Sequence, residues 1–182
     1  MNSSSVSIRA SEDHDVPAIT AIYHHHVLHS PATFELEPPG VEEMMARRTR
    51  LLEKGFPYLV AERDGEVIGY AYAGPYRTRP AYRFTVENSV YVRPGNLRQG
   101  VGQLLMAALL AECAQRGFRQ VIAVIGDSAN QASIRLHERL GFSLVGILRS
   151  VGFKFDCWYD SVLMQRKLDG DDRQVLCRTN PQ

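Results

Sequence analysis

Residues Leu97 to Gly102 read L-R-Q-G-V-G and stand between a β-rich run and a helical pattern. A strand, a glycine-bearing turn and a helix start together present bare backbone N–H groups. The helix dipole adds partial positive charge at the same place. Glycine lets a bulky pyrophosphate approach the main chain, and Arg98 adds a formal charge. The chemistry expected here is the holding of a nucleotide-bearing cofactor by its phosphates. Similar turns also serve as plain structure, so this feature needs support from the rest of the chain.

Three further constellations could carry chemistry. Asn130, Ser133 and His137 share one helix face, while Ala132, Leu136 and Leu140 form an apolar face of the same helix. Such a polar stripe often lines a cleft; the plainer reading is a capping Asn with a surface Ser and His. Strand alternation puts Glu87, Ser89 and Tyr91 on one side, with Asn88, Val90 and Val92 on the other. The second set is the apolar one, so Glu87 is expected to face a cavity or to pair with a basic neighbour such as Arg83. Arg77, Arg79 and Tyr82 precede that strand, and arginine forks match carboxylates and phosphinates. The adjacent His24, His25 and His26 point in three directions on a helix, which speaks against a metal site. No cysteine has a convincing His partner, so a thiol nucleophile is not expected.

The elements that must position these residues follow from periodicity and turn residues. Val6 to Ala10 reads as a strand, followed by a helix through Val27 capped by Ser11 or Asp13. A proline-marked loop holds Phe34, and a second helix covers Val41 to Glu53. Tyr58–Glu62 and Val67–Ala73 are strands joined across Asp64-Gly65, a hairpin signal. Thr85–Val92 is a strand leading to a helix from Val101 to Arg116. Val121–Ile125 is a buried strand, a helix spans Gln131–Leu140, and strands cover Ser143–Ser150 and Trp158–Arg166. The order β α α β β β α β α β β implies a mixed sheet with helices packed on it, an α+β or α/β arrangement. Phe153 and Trp158 are assigned to the core or an interface.

Composition narrows the classes. A chain of 182 residues with 45% hydrophobic and 23% charged residues suits one soluble domain. Its net charge of +1 gives no bulk electrostatic case for nucleic acid or an anionic membrane. Three widely spaced cysteines form neither a disulfide framework nor a zinc pattern, which fits a reducing cytoplasm. No apolar run reaches the roughly 20 residues of a membrane span, and Met1 to Ser5 has no secretory character.

Taken together, the turn Arg98-Gln99-Gly100-Val101-Gly102 and the segment Asn130–Phe142 (N-Q-A-S-I-R-L-H-E-R-L-G-F) resemble the GCN5-related N-acetyltransferase superfamily. More narrowly, Tyr70–Tyr76, Thr85–Val92 and Val151–Phe155 followed by Trp158 are similar to phosphinothricin and methionine sulfoximine N-acetyltransferases. The resemblance implies a single domain over 6–168, with 1–5 and 169–182 as tails. It implies an α+β, three-layer sandwich: a mixed, mostly antiparallel sheet with helices on both faces. It further implies acetyl-CoA as co-substrate, no metal, a small amino acid acceptor, a detoxifying role and a homodimer. Backbone N–H groups from Arg98 through Gln99, Gly100, Val101, Gly102 and Gln103 would hold the pyrophosphate. The pantetheine arm would lie along Val90, Tyr91 and Val92, with Asn130 and Ser133 near the thioester. Leu97 departs from the Arg or Gln usual at that position, and His137 replaces a tyrosine common in the wider superfamily.

The chemistry that follows is direct acyl transfer. An amine with a pKa near ~8 must lose a proton, and Glu87 is the expected base. His137 is expected to act as acid or orienting group, or to exchange roles with Glu87. A strand N–H near Val90 would stabilise the developing oxyanion. Arg77 and Arg79 would hold the acceptor's acidic end, in a pocket walled by Phe34, Tyr82, Ser89 and Tyr91. The competing readings are an acetyltransferase for protein N-termini or polyamines, and a non-catalytic acetyl-CoA-binding module. Paired arginines disfavour a polycation, and Glu87 together with His137 disfavours a module without chemistry.

Overall fold

A computed structural model describes residues 5–168. The tails expected at 1–5 and 169–182 therefore lie, but for Ser5, outside the described residues, as does Cys177. In chain order the elements are β1 (Ser7–Ala10), α1 (Val16–His29), α2 (Val41–Glu53), β2 (Tyr58–Arg63), β3 (Glu66–Pro75), β4 (Thr85–Val92), α3 (Val101–Gln115), β5 (Gln120–Gly126), α4 (Gln131–Arg139), β6 (Ser143–Lys154) and β7 (Cys157–Lys167). The seven strands form one sheet in the order β1-β2-β3-β4-β5-β7-β6. Only β4 and β5 run parallel; the other neighbours are antiparallel. No described helix is long and apolar enough to cross a membrane.

Alternation along β2 and β3 divides the interior in two. Leu59, Ala61 and Ala71 turn to the face covered by α3, where Val101, Leu105, Met106 and Leu109 complete the core. Ile134 and Leu136 of α4, and Leu140 just after it, pack onto the same face. Tyr58, Val60 and Tyr70 turn to the other face, against Val16, Ile19, Ile22 and Tyr23 of α1 and Met44 of α2. Helices thus cover both faces, and the expected sandwich holds.

Two local expectations need correction. The first helix is not capped by Ser11 or Asp13. Glu12 and Asp15 form a reciprocal capping box around a 3-10 turn, and the Ser11 hydroxyl accepts from the Arg48 guanidinium at 2.7 Å. Arg9 fixes Asp15 through two hydrogen bonds of 2.7 and 2.8 Å and holds its carboxyl below the usual range, against the opposing effect of burial. The last two strands are longer than expected, β6 running past Ser150 to Lys154 and β7 starting at Cys157. β6 and β7 meet in a two-residue turn, Phe155-Asp156, whose φ angles are +51° and +56°. Asp156 is at ease in that backbone but Phe155 is not, and without a glycine the pair gives only a weak turn signal.

The site depends on how β4 and β5 part. They pair from Thr85–Gln120 to Asn88–Ala123, four residue pairs, and then diverge. β4 continues to Val92 against β3, and β5 continues to Gly126 against β7. The Arg93 N–H bonds the Ile68 carbonyl on the β3 side. By alternation, Val90 and Val92 project their main-chain groups into the gap.

Candidate active site

Two adjoining cavities occupy the gap. The larger, a groove of about 530 Å³, runs along Val90, Tyr91 and Val92 to the β4–α3 turn and is flanked by α4. The smaller, a chamber of about 280 Å³, is lined among others by Thr33, Phe34, Tyr72, Glu87, Asn88, Ser89 and His137. Both share Ala32, Val90, Tyr91, Asn130 and Ser133 as walls.

The groove ends on main chain. Arg98 and Gly100 both sit in the left-handed region, at φ +60° and +80°. Such alternation aims successive N–H groups to one side and forms an anion-binding nest. The first α3 hydrogen bond runs from the Leu104 N–H to the Gly100 carbonyl, so the N–H groups of Val101, Gly102 and Gln103 have no helical partner. Glycine at position 100 is required by its φ; an L side chain there is strained. Of the residues expected to hold a cofactor, Gln99 alone stands outside the groove lining. Its side chain accepts from Arg63 at 2.7 Å and donates to the Gly95 carbonyl at 3.1 Å, bracing the turn from behind. The groove also contains Leu97, His26, Arg135 and Arg139, which sequence reasoning passed over as contributors. The two arginines were detectable in principle, since positions 132, 135, 136 and 139 share one helix face.

Asn130 has two tasks. Its side-chain oxygen caps α4 by accepting from the Ser133 N–H at 3.2 Å, while the residue lines both cavities. The turn before it is fastened by Asp160, which accepts from Ser128 and Arg149, each at 2.7 Å, and from the Ser150 N–H at 3.0 Å.

In the chamber Glu87 is half-buried, and that burial raises its carboxyl above the ordinary carboxylate range. His137 is 2% exposed. Its Nδ1 lies 2.8 Å from the Ser133 carbonyl and its Nε2 3.0 Å from the Asn88 amide nitrogen. Burial lowers its pKa and so favours the neutral ring. Nδ1 then carries the proton given to Ser133, and Nε2 accepts from Asn88. Both ring nitrogens are engaged. Asn88 itself, expected only as one of the apolar-side residues of β4, reaches the chamber wall; nothing in the alternation pattern marked it.

A loop roofs the chamber. The Lys154 ammonium, buried in the β6–β7 hairpin, donates to the Ser30 and Thr33 carbonyls at 2.9 and 2.8 Å. Gly126 and Gly152 lack the Cβ that would strike the Pro31 carbonyl or the Phe34 ring, which allows this close approach. Arg77, Arg79 and Tyr82 do not line the chamber. They are exposed in the β3–β4 loop, with the Arg77 guanidinium over the Tyr76 and Tyr82 rings at 5.2 and 5.8 Å. That loop leaves the sheet just past the Gly74–Glu87 pair.

Other candidates fall away. His24 reaches the Pro39 carbonyl, His26 reaches that of Val92, and His25 lies tilted against His29. Burial pushes the Cys113 thiol up to about 12.

This geometry has close counterparts among known proteins. The profile of the acetyltransferase (GNAT) family matches residues 19–142. A phosphinothricin N-acetyltransferase from Alcaligenes faecalis is 54% identical over 91% of this chain and 84% of its own length. An L-methionine sulfoximine/L-methionine sulfone acetyltransferase from Salmonella typhimurium is 39% identical over 90% and 95%. The crystal structure of a phosphinothricin acetyltransferase from Sinorhizobium meliloti in complex with acetyl-CoA superposes with a TM-score of 0.88, at 41% identity, covering 96% of this chain and 97% of that one.

Proposed function

The chain belongs to the acetyltransferase (GNAT) family, and from that premise we propose that it moves the acetyl group of acetyl-CoA to the α-amino group of a small amino acid analogue. The acceptor class is that of phosphinothricin, methionine sulfoximine and methionine sulfone. The observation that carries this reading is the shared wall of groove and chamber, with Glu87 beside the parting of β4 and β5.

The nest at Arg98–Gln103 holds the pyrophosphate, and the strand edge of Val90–Val92, whose Val92 carbonyl also accepts from His26, receives the pantetheine arm. Arg98, Arg135 and Arg139 add positive charge along the groove. Glu87 takes the amine's proton, directly or through a water, as the N–C bond forms and the C–S bond breaks. The Val90 N–H meets the charge that develops on the carbonyl oxygen. The departing thiolate, with an intrinsic pKa of ~8.5, takes its proton from solvent. His137 orients rather than protonates, because both of its nitrogens are occupied. Phe34, Ser89 and Tyr91 wall the acceptor. Arg77 and Arg79, which make no ion pair among the described residues, take its acidic end where it leaves the chamber past Glu87.

The protein acts as a cytoplasmic homodimer in this reading. Val145, Val151, Phe153, Phe155 and Trp158 stand exposed on the β6–β7 hairpin, with Trp158 at 65%. An apolar edge of this kind marks an interface. Light scattering should give twice the chain mass for the unaltered protein and one chain mass for Trp158→Arg with Phe153→Glu; a monomeric unaltered protein removes the homodimer from the reading.

Thiol release from acetyl-CoA tests the whole. The panel holds phosphinothricin, methionine sulfoximine, methionine sulfone, free amino acids, a polyamine and a short peptide. Turnover with the amino acid analogues supports the assignment. Turnover only with peptide or polyamine discards the arginine-held acceptor.

A further inference from the structure

Two irregular segments meet at one carboxylate. β5 ends at Gly126, and the chain turns through Asp127, at φ +72°, to reach Asn130. On the neighbouring hairpin, β6 slips register between Leu148 and Gly152, with Ser150 at φ +49°. Neither Asp127 nor Ser150 is glycine, so each bend is kept by what surrounds it.

Asp160 of β7 stands between them. Its carbonyl accepts from the Asp127 N–H at 2.9 Å. One side-chain oxygen accepts from the Ser128 hydroxyl and from Arg149, each at 2.7 Å, and the other from the Ser150 N–H at 3.0 Å. These donors, Ser128 foremost, hold the carboxyl below its ordinary range.

Asp160 lines neither cavity, but what it holds lines both. Asn130 and Ser133, shared walls of groove and chamber, come directly after the turn. α4 has nine residues, too few to keep a place by helix stability alone. Asp127 shapes the turn from within, its side chain accepting from the Ala129 N–H at 2.8 Å. Asp160 decides where that turn sits on the sheet. The far end of the helix is tied to the same strand, where Arg166 donates to the Leu140 carbonyl. The signs suit a helix dipole, with a carboxylate near the N-terminal end and a guanidinium near the C-terminal end. β7 thus grips α4 by both ends.

We propose that Asp160 is a positioning residue for acetyl-CoA, holding the β5–α4 turn so that Asn130 and Ser133 form the wall against which the cofactor's arm lies. The inference rests on the acetyl-transfer reading for the occupant of the groove.

Calorimetry of acetyl-CoA binding is the first readout, since it needs no acceptor. Asp160→Ala should raise the dissociation constant about tenfold and leave the acceptor's KM within twofold. Asp160→Asn keeps one oxygen acceptor and should fall between that variant and the unaltered protein. Ser128→Ala cuts only the arm to the turn and should raise the dissociation constant about threefold. Arg149→Ala cuts an arm to the hairpin; that side chain is 69% exposed, and the change should stay within twofold. Asp160→Ala combined with Asn130→Ala should be no more than about twofold worse than the weaker-binding single variant, because one residue acts through the other. Should Asp160→Ala fail to fold, Ser128→Ala and Asp160→Asn carry the test.

Unchanged acetyl-CoA affinity in the Asp160 and Ser128 variants overturns the inference. So does an equal loss in Arg149→Ala, which would make the carboxylate a brace of the hairpin, or full additivity with Asn130→Ala. If the unaltered protein binds acetyl-CoA but releases no thiol with any amine, the acetyl-transfer reading falls while the affinity series still decides the inference. If it binds no acetyl-CoA, both fall.

Discussion

The groove and the chamber are built from different materials. The groove recognises its ligand with main chain: a left-handed turn, a helix start and a strand edge. Its side chains add charge at an exposed rim. The chamber is built from buried side chains, each held in place: His137 by the Ser133 carbonyl and by Asn88, and Lys154 by the Ser30 and Thr33 carbonyls of the roof loop. A main-chain site tolerates changes in sequence so long as the turn keeps its shape. A side-chain site fails one atom at a time.

Substitutions can sharpen or break that contrast. The largest effect should come from the chamber. Glu87→Gln removes the base and keeps its volume, so kcat should fall about 100-fold or more while acetyl-CoA binding stays within twofold. Steady-state kinetics with calorimetry separates the two. In the unaltered enzyme, kcat/KM should rise with pH through a group above the ordinary carboxylate range, because protonated Glu87 cannot take the amine's proton. That limb should be missing from the glutamine variant.

Next should come Arg79→Ala, which should raise the acceptor's KM about tenfold through loss of a charge-assisted contact and leave that of acetyl-CoA unchanged. Equal effects on both would remove the arginine from acceptor binding. In the groove, Gly100→Val attacks backbone geometry. A β-branched residue at φ +80° costs about 1–3 kcal/mol. Acetyl-CoA affinity should fall several-fold with a lowered Tm. Arg98→Ala should have the smallest effect, about threefold on the KM for acetyl-CoA, and the difference should shrink as salt is raised. A larger loss at Arg98 than at Gly100 would mean that side-chain charge, not the nest, holds the phosphates.

The same contrast explains what could be read from the chain alone. The groove was legible because glycines mark backbone shape: Gly100 and Gly102 announced the nest, as Asp64-Gly65 announced the β2–β3 hairpin. Strand alternation correctly set Glu87, Ser89 and Tyr91 on one side of β4. Asn88 was not legible as a site residue, because nothing local shows that β5 parts from β4 just beyond it. His137 was found as a site residue, but its partners belong to a tertiary arrangement, and they alter what the imidazole can do. Gln99 sits inside the glycine turn by sequence yet points to Arg63, a contact no spacing rule contains. The Phe155-Asp156 turn gives only a weak signal because one of its positive φ angles falls on a phenylalanine and no glycine marks it.

The parting of β4 and β5 also bears on how the molecule holds together. Only four residue pairs join the strands β1–β4 to the strands β5–β7. A ligand laid along Val90–Val92 would lengthen that seam, acting as a removable rung between two half-sheets. Amide exchange along β4 and β5 should slow together when the groove is filled, and cooperativity of unfolding should increase. The cofactor's binding energy would then be felt as rigidity in the plate that carries Glu87 and Asn88, so that the first substrate to arrive stiffens the floor on which the second must react.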